Sequence, residues 1–162
     1  MVTIKDYEEK YRNQVIALIL YIQNIEGGVN LSLEDQPDLN DINACYRDSS
    51  GGFWIAVNDD ARVVGTLGLI NKNGICGILK KFFIEREFRG GEKGVSAGLF
   101  ERLLEHARRG GMKQIVLDTP AVCLRAHGFY RKKGFRRIGK EQLPVQYDYP
   151  DRDSWLFLKE LD

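Results

Sequence analysis

Residues 85–94, Glu-Arg-Glu-Phe-Arg-Gly-Gly-Glu-Lys-Gly, join an apolar run ending at Ile84 to an amphipathic run that begins at Val95 and Ser96. Strand, glycine-rich loop and helix start, in that order, are the parts from which proteins build anion sites. The first-turn N–H groups of a helix lack intrahelical partners, and its dipole adds partial positive charge there. Gly90, Gly91 and Gly94 permit positive φ and let a phosphate approach the backbone without a Cβ in the way, while Arg89 and Lys93 add mobile positive charge. The same three glycines also suit a plain flexible turn. No Gly-Lys-Ser/Thr follows the last glycine and no GxGxxG occurs with a downstream acid, which argues against nucleotide hydrolysis and hydride transfer.

Two further groupings bear chemistry. Cys123 and His127 lie four apart, a spacing that invites a Cys–His nucleophile, although neighbouring helical side chains diverge and a small buried thiol is the commoner role. Six basic residues fall within 131–140. A solvated face accounts for them most simply, a phosphate contact next, and nucleic acid last, since no aromatic residues interleave with an extended basic stripe.

The elements that must hold these groups follow from hydrophobic period. Residues 2–5 alternate as a short strand, and Asp6 stands where an N-cap would open a helix reaching about Glu26, with Val15, Leu18, Ile19, Ile22 and Ile25 as its apolar stripe. Residues 38–47 read as a short second helix with Leu39, Ile42, Cys45 and Tyr46 inward. Segments 52–57, 62–70 and a third ending near Ile84 form an antiparallel meander divided by Asn- and Gly-containing turns. Val95, Leu99, Leu103 and Ala107 mark a helix stopped by Gly110-Gly111, then come a buried strand at 115–117, a helix at 121–133, and strands at 135–138 and 155–158. The order β-α-α-β-β-β-α-β-α-β-β predicts an α/β domain with a mixed sheet.

Bulk properties narrow the setting. At 162 residues the chain suits a single domain over 1–162 with a core of its own. Twenty-four basic and 23 acidic residues leave a net charge of +1, so no global field draws it to nucleic acid or an anionic membrane. Cys45, Cys76 and Cys123 are odd in number and widely spaced, against both a disulfide framework and a zinc site. Together with the lack of a signal peptide or spanning segment, this predicts a cytoplasmic protein that needs no metal.

The segment from Phe82 to Leu104 resembles the cofactor motif of the GNAT acetyltransferases, a strand followed by Arg-Gly-x-Gly-x-Gly/Ala and a helix. The stretch Ala126-His127-Gly128-Phe129-Tyr130-Arg131-Lys132-Lys133-Gly134-Phe135 resembles the family's second signature, A-x-x-F-Y-x-x-x-G-F. The resemblance implies a GNAT-like acyltransferase fold, a mixed and mostly antiparallel central sheet flanked by helices, with acetyl-CoA as co-substrate. It implies that backbone near Phe82, Phe83 and Ile84 holds the pantetheine arm beside a β-bulge, and that Arg89, Gly90, Gly91, Lys93, Gly94, Val95 and Ser96 hold the pyrophosphate. Arg89 and Gly94 stand two residues further apart than in the usual motif, so either the loop bulges or Arg89 is displaced.

By the same resemblance Tyr130 protonates the departing thiolate; as an unaided reading, Phe129 and Tyr130 also serve as core aromatics. The implied reaction is acetyl transfer to an amine, first a small-molecule amine and second a protein one, with a silent CoA- or metabolite-binding sensor as the alternative. The strand before the loop lacks the Glu found in many relatives, and Cys123 stands where the family often has Asn. A base must then come from Glu26, Glu34 or Asp35 after the first helix, or from water. Nucleic acid and membrane are not expected partners, and a homodimer stays open.

Overall fold

β-Branched and aromatic residues fill three successive runs separated by Asn-containing turns, so each run pairs with the next. They form β2 (Gly52–Asn58), β3 (Val63–Asn71) and β4 (Cys76–Ile84) in a computed structural model that describes residues 1–149 and 153–162. With β1 (Val2–Asp6), β5 (Gln114–Pro120), β6 (Arg136–Ile138) and β7 (Ser154–Glu160) they make one seven-stranded sheet in the order β1-β2-β3-β4-β5-β7-β6. All pairings are antiparallel except that of β4 with β5. Helices cover both faces, as the pattern of elements predicts. Among the described residues no helix is long and apolar enough to cross a membrane.

α2 (Val95–Arg109) buries Val95, Leu99, Phe100, Leu103, Leu104 and Ala107 against one face of the sheet, where α3 (Leu124–Lys132) adds Tyr130 to the same core. Gly111, at φ 81°, closes α2: its N–H donates to Arg108 O and the Met112 N–H to Ala107 O, the paired bonds that satisfy orphan carbonyls at a helix end. On the opposite face α1 (Arg12–Tyr21) packs Val15 and Ile19 with Tyr7, Leu39, Ile42 and Tyr46.

The first third departs from the periodicity. Asp6 completes β1 instead of capping a helix, and a 3-10 turn at Glu9–Tyr11 precedes α1. A π-type turn at Ile22–Glu26 then shifts the helical phase, so Ile25 faces solvent at 68% exposure instead of joining the core. The second helix is two short turns, Pro37–Asn40 and Asn43–Arg47, with Cys45 exposed. α3 starts at Leu124, three residues later than the pattern implies, because β5 runs on to Pro120.

Two features of β4 shape the site. First, it pairs with β5 only through Cys76, Gly77 and Ile78 opposite Gln114, Ile115 and Val116, whereas β5 stays paired with β7 along all seven residues. Beyond Ile78 and Val116 the strands part, which leaves one edge of residues 79–84 without a strand partner. Second, Lys81 and Phe82 together face the single residue Leu67, a β-bulge marked by Lys81 at φ 55°. The expected bulge near Phe83 thus lies one to two residues earlier.

The buried Thr66 holds the bulge by donating from Oγ1 to the Lys81 carbonyl at 2.8 Å. Thr66→Val keeps the shape and removes the donor, leaving that carbonyl unpaired. Urea unfolding is expected to show a loss of about 1–3 kcal/mol with an unchanged denaturant slope.

Candidate active site

At the splay β4 presents its side chains to both faces of the sheet. Phe82 turns towards α3, with its ring 5.5 Å from Phe129 and 6.4 Å from Tyr130, while Phe83 packs with the α1 cluster and Ile84 returns to the α2 side. The three residues expected to hold a pantetheine arm therefore line the gap with free backbone edges.

The loop after β4 absorbs its two extra residues in short 3-10 turns, Arg86–Phe88 and Gly91–Lys93. Gly90 at φ 111° and Gly94 at φ 73° make the reversals that a Cβ would resist, and Gly94 is the N-cap of α2. Among the described residues the N–H groups of Gly94, Val95, Ser96 and Ala97 donate to no protein acceptor, and Gly91, Lys93 and Gly94 are exposed beside them. Such a cluster of unpaired N–H groups at the start of a 15-residue helix suits a phosphate. Arg89 turns the other way: its Nε donates to Ile84 O at 2.7 Å and a terminal nitrogen to Glu26 Oε1 at 2.5 Å. Its side chain ties the loop to the end of the first helical segment.

Tyr130 is 6% exposed, wedged among Phe82, Phe129, Phe135 and Phe157, and its hydroxyl has no hydrogen-bond partner among the described residues. Burial, reinforced by the charge of Asp118, raises its pKa well above the ordinary phenol value. The group therefore stays protonated at neutral pH and is a proton donor only.

Two of the three loop acids are engaged by neighbouring groups, and the third is exposed. Glu26 is bound to Arg89. Asp35 accepts from Ser32 N–H and Oγ, and these bonds lower its pKa. Glu34 is exposed. The acid at the splay is Asp118, four residues along β5 from its start and just past the last β4 pair. Burial raises its pKa, against the opposing pull of Lys80 and of the Tyr147 hydroxyl, which donates to Oδ1 at 3.1 Å. Hydrophobic period alone ends this strand at residue 117 and misses the acid. The available signal is an acid directly following the apolar run Ile115-Val116-Leu117.

Cys123 and His127 do not form a pair. The imidazole lies between Trp155, stacked at 4.6 Å, and Phe157, and its Nε2–H donates to Pro120 O at 3.0 Å. Partial burial pushes the Cys123 thiol up instead of down. Among the described residues no three His, Cys, Asp or Glu side chains group as a metal would need. Cys123 is expected to react with iodoacetamide no faster than free cysteine between about pH 6 and 8. Cys76, buried with its thiol pushed up to about 11, is expected to stay unlabelled until unfolding. Rapid alkylation of Cys123 near pH 6 would restore the Cys–His pairing.

Comparison with known proteins places this geometry. Residues 15–135 match the Acetyltransferase (GNAT) family. A crystal structure of an acetyltransferase from Streptococcus agalactiae superposes with a TM-score of 0.93 at 38% identity, covering 99% of this chain and 98% of that one. A GNAT-family acetyltransferase from Staphylococcus aureus gives 0.92 at 30% identity over the full length of both chains. N-acetylaspartate synthetase of Danio rerio is 34% identical over 107 residues, 65% of this chain and 37% of its own length. This chain thus spans well under two thirds of that curated relative. With both signature segments on the elements that frame the splay and the family match spanning most of its length, the chain belongs to the GNAT acetyltransferase family.

Proposed function

We propose that the protein is an N-acetyltransferase that moves an acetyl group from acetyl-CoA to the primary amine of a small molecule by direct attack. The observation that carries this reading is the splay, whose free β4 edge lies beside the unpaired N–H groups of Gly94, Val95, Ser96 and Ala97. A pantetheine arm has amide groups that can add to residues 79–84 as a strand would, and a pyrophosphate suits the start of α2. Backbone N–H groups of residues 91–96, with Lys93 nearby, serve the phosphates; Arg89 serves the loop that presents them.

Acetyl-CoA, when bound, supplies the thioester carbon that the amine attacks. The chain contributes the remaining parts. A backbone N–H near Phe83 or Ile84 donates to the carbonyl oxygen as negative charge develops there. Tyr130 gives its proton to the departing sulfur, and burial keeps the phenol in its protonated form at neutral pH. The relatives named N-acetylaspartate synthetase lend support to a small acceptor, and relatives named as acetyltransferases do not favour a silent sensor. Three free cysteines suit a reducing cytoplasm. The reading extends to a single domain working without nucleic acid or membrane, alone or paired with a second copy.

Calorimetric titration with acetyl-CoA is expected to show one saturable site, and no binding would overturn the reading. Tyr130→Phe is expected to lower kcat about a hundredfold while the acetyl-CoA Kd stays within about twofold. Because the phenol remains protonated, the wild-type to mutant rate ratio is expected to stay flat from about pH 6 to 9. Equal rates across that range would remove Tyr130 from the chemistry.

A further inference from the structure

Lys80 and Lys81 are consecutive in a strand, so regular alternation would send them to opposite faces of the sheet. The bulge cancels that alternation. Lys80 Nζ lies 5.5 Å from the centre of the Tyr147 ring, and Lys81 Nζ donates to Gln36 Oε1 at 2.5 Å. Both partners belong to the face that carries α1 and residues 143–149, whereas Leu79 and Phe82 on either side turn to the α2 and α3 face. Asp118 holds the same face across the gap: it follows Val116 by two residues and accepts from Tyr147. Two lysines and a carboxylate thus gather at the splay, on the face opposite Tyr130.

Their charges are incompletely matched by the protein. Lys80 has no carboxylate within 4.0 Å among the described residues. The nearest to Lys81 is Asp38 at 3.8 Å, which already accepts from the Tyr46 hydroxyl at 2.6 Å. The Lys81 side chain is only 12% exposed, and burial lowers its pKa. A partly buried ammonium held by one amide oxygen and one long ion pair to Asp38 keeps hydrogen-bonding capacity for an anion.

We propose that this cluster of side chains is the acceptor subsite and that it takes a small molecule carrying both an amine and a carboxylate, with Asp118 receiving the ammonium end and Lys80 and Lys81 the carboxylate. The assignment rests on the acetyl-transfer reading above. Asp118 accepts one proton from the ammonium, which frees the nitrogen lone pair. The C–N bond forms as the C–S bond breaks, the sulfur takes the Tyr130 proton, and the second nitrogen proton leaves through water to restore Tyr130. Asp118 returns its proton to solvent, so each turnover releases one proton. Amine and thioester approach from opposite faces and meet only in the gap between β4 and β5.

The test uses thiol release from acetyl-CoA with a panel of L-amino acids, each beside its carboxamide, which keeps the amine and loses the carboxylate. At least one amino acid is expected to exceed its amide by about tenfold or more in kcat/KM. Lys80→Met and Lys81→Met are each expected to reduce that preference towards unity, chiefly by raising KM for the acid. Lys81→Arg is expected to retain part of it. Asp118→Asn is expected to lower kcat for acid and amide alike. Calorimetry of the preferred amino acid and its amide into CoA-saturated protein reads the same preference without turnover. Lys80→Met covers the case in which Lys81→Met fails to fold, since the Lys80 head group makes no hydrogen bond or ion pair among the described residues.

Amides accepted as well as acids, acceptance confined to peptides, or lysine variants that reduce acid and amide equally would overturn the subsite while leaving acetyl transfer intact. Absence of acetyl-CoA binding would overturn acetyl transfer itself, and the subsite with it.

Discussion

Strands β4 and β5 hold each other over three residue pairs and then part, because each is bound more extensively to its other neighbour: β4 to β3, and β5 to β7 along its full seven residues. Sheet twist carries the two pairs of strands away from each other once those bonds end. The gap is therefore a consequence of pairing preferences across the whole sheet, and no single residue creates it. It leaves unpaired backbone at a depth where such groups otherwise cost stability, which makes that edge receptive to a ligand that brings its own amides. It also joins the two faces of a sheet that is elsewhere closed.

Each face brings a different chemistry to that gap. On the α2 and α3 face stand the N–H groups at the helix start and the protonated Tyr130 among its aromatic neighbours. On the α1 face stand Lys80, Lys81 and Asp118, with Gln36, Asp38 and Tyr147 around them. The bulge connects the two arrangements. One extra residue in β4 turns Phe82 towards α3 and sets two lysines side by side, and the Thr66 hydroxyl holds the strained carbonyl that results. Arg89 and Glu26, 63 residues apart in sequence, fasten the glycine-rich loop to the end of the first helical segment. In this way the two sides of the gap are held in one frame.

Local features are legible from residue order because their causes are local. A glycine-rich turn before an amphipathic run shows a helix start whether or not anything packs on it, and α2 begins at Val95 as its period requires. Tyr130 is legible through its place in a short signature on a helix. The first third reads poorly: a π-type turn changes helical phase before the Gly27-Gly28 stop, with no Pro or Gly inside it, so Ile25 keeps the spacing of a core residue and lies in solvent. Arg89 reads as a phosphate ligand because a cation beside glycines has that chemistry, and its bond to Glu26, 63 residues away, is not legible from local order.

By itself the sequence determined the order of the strands along the chain, the face of α2 that enters the core, the glycine turns at 90 and 94, and the apolar setting of Tyr130. Each depends on a residue's own conformational range or on neighbours a few positions away. Only the tertiary structure decided where β4 leaves β5, that Lys80 and Lys81 share a face, and that Asp118, outside every motif, stands across from them. Strand side chains alternate with a period of two, so one inserted residue reverses which face a side chain joins. Whether that insertion exists depends on the register between β3 and β4, a property of two paired strands that neither strand's residues carry alone.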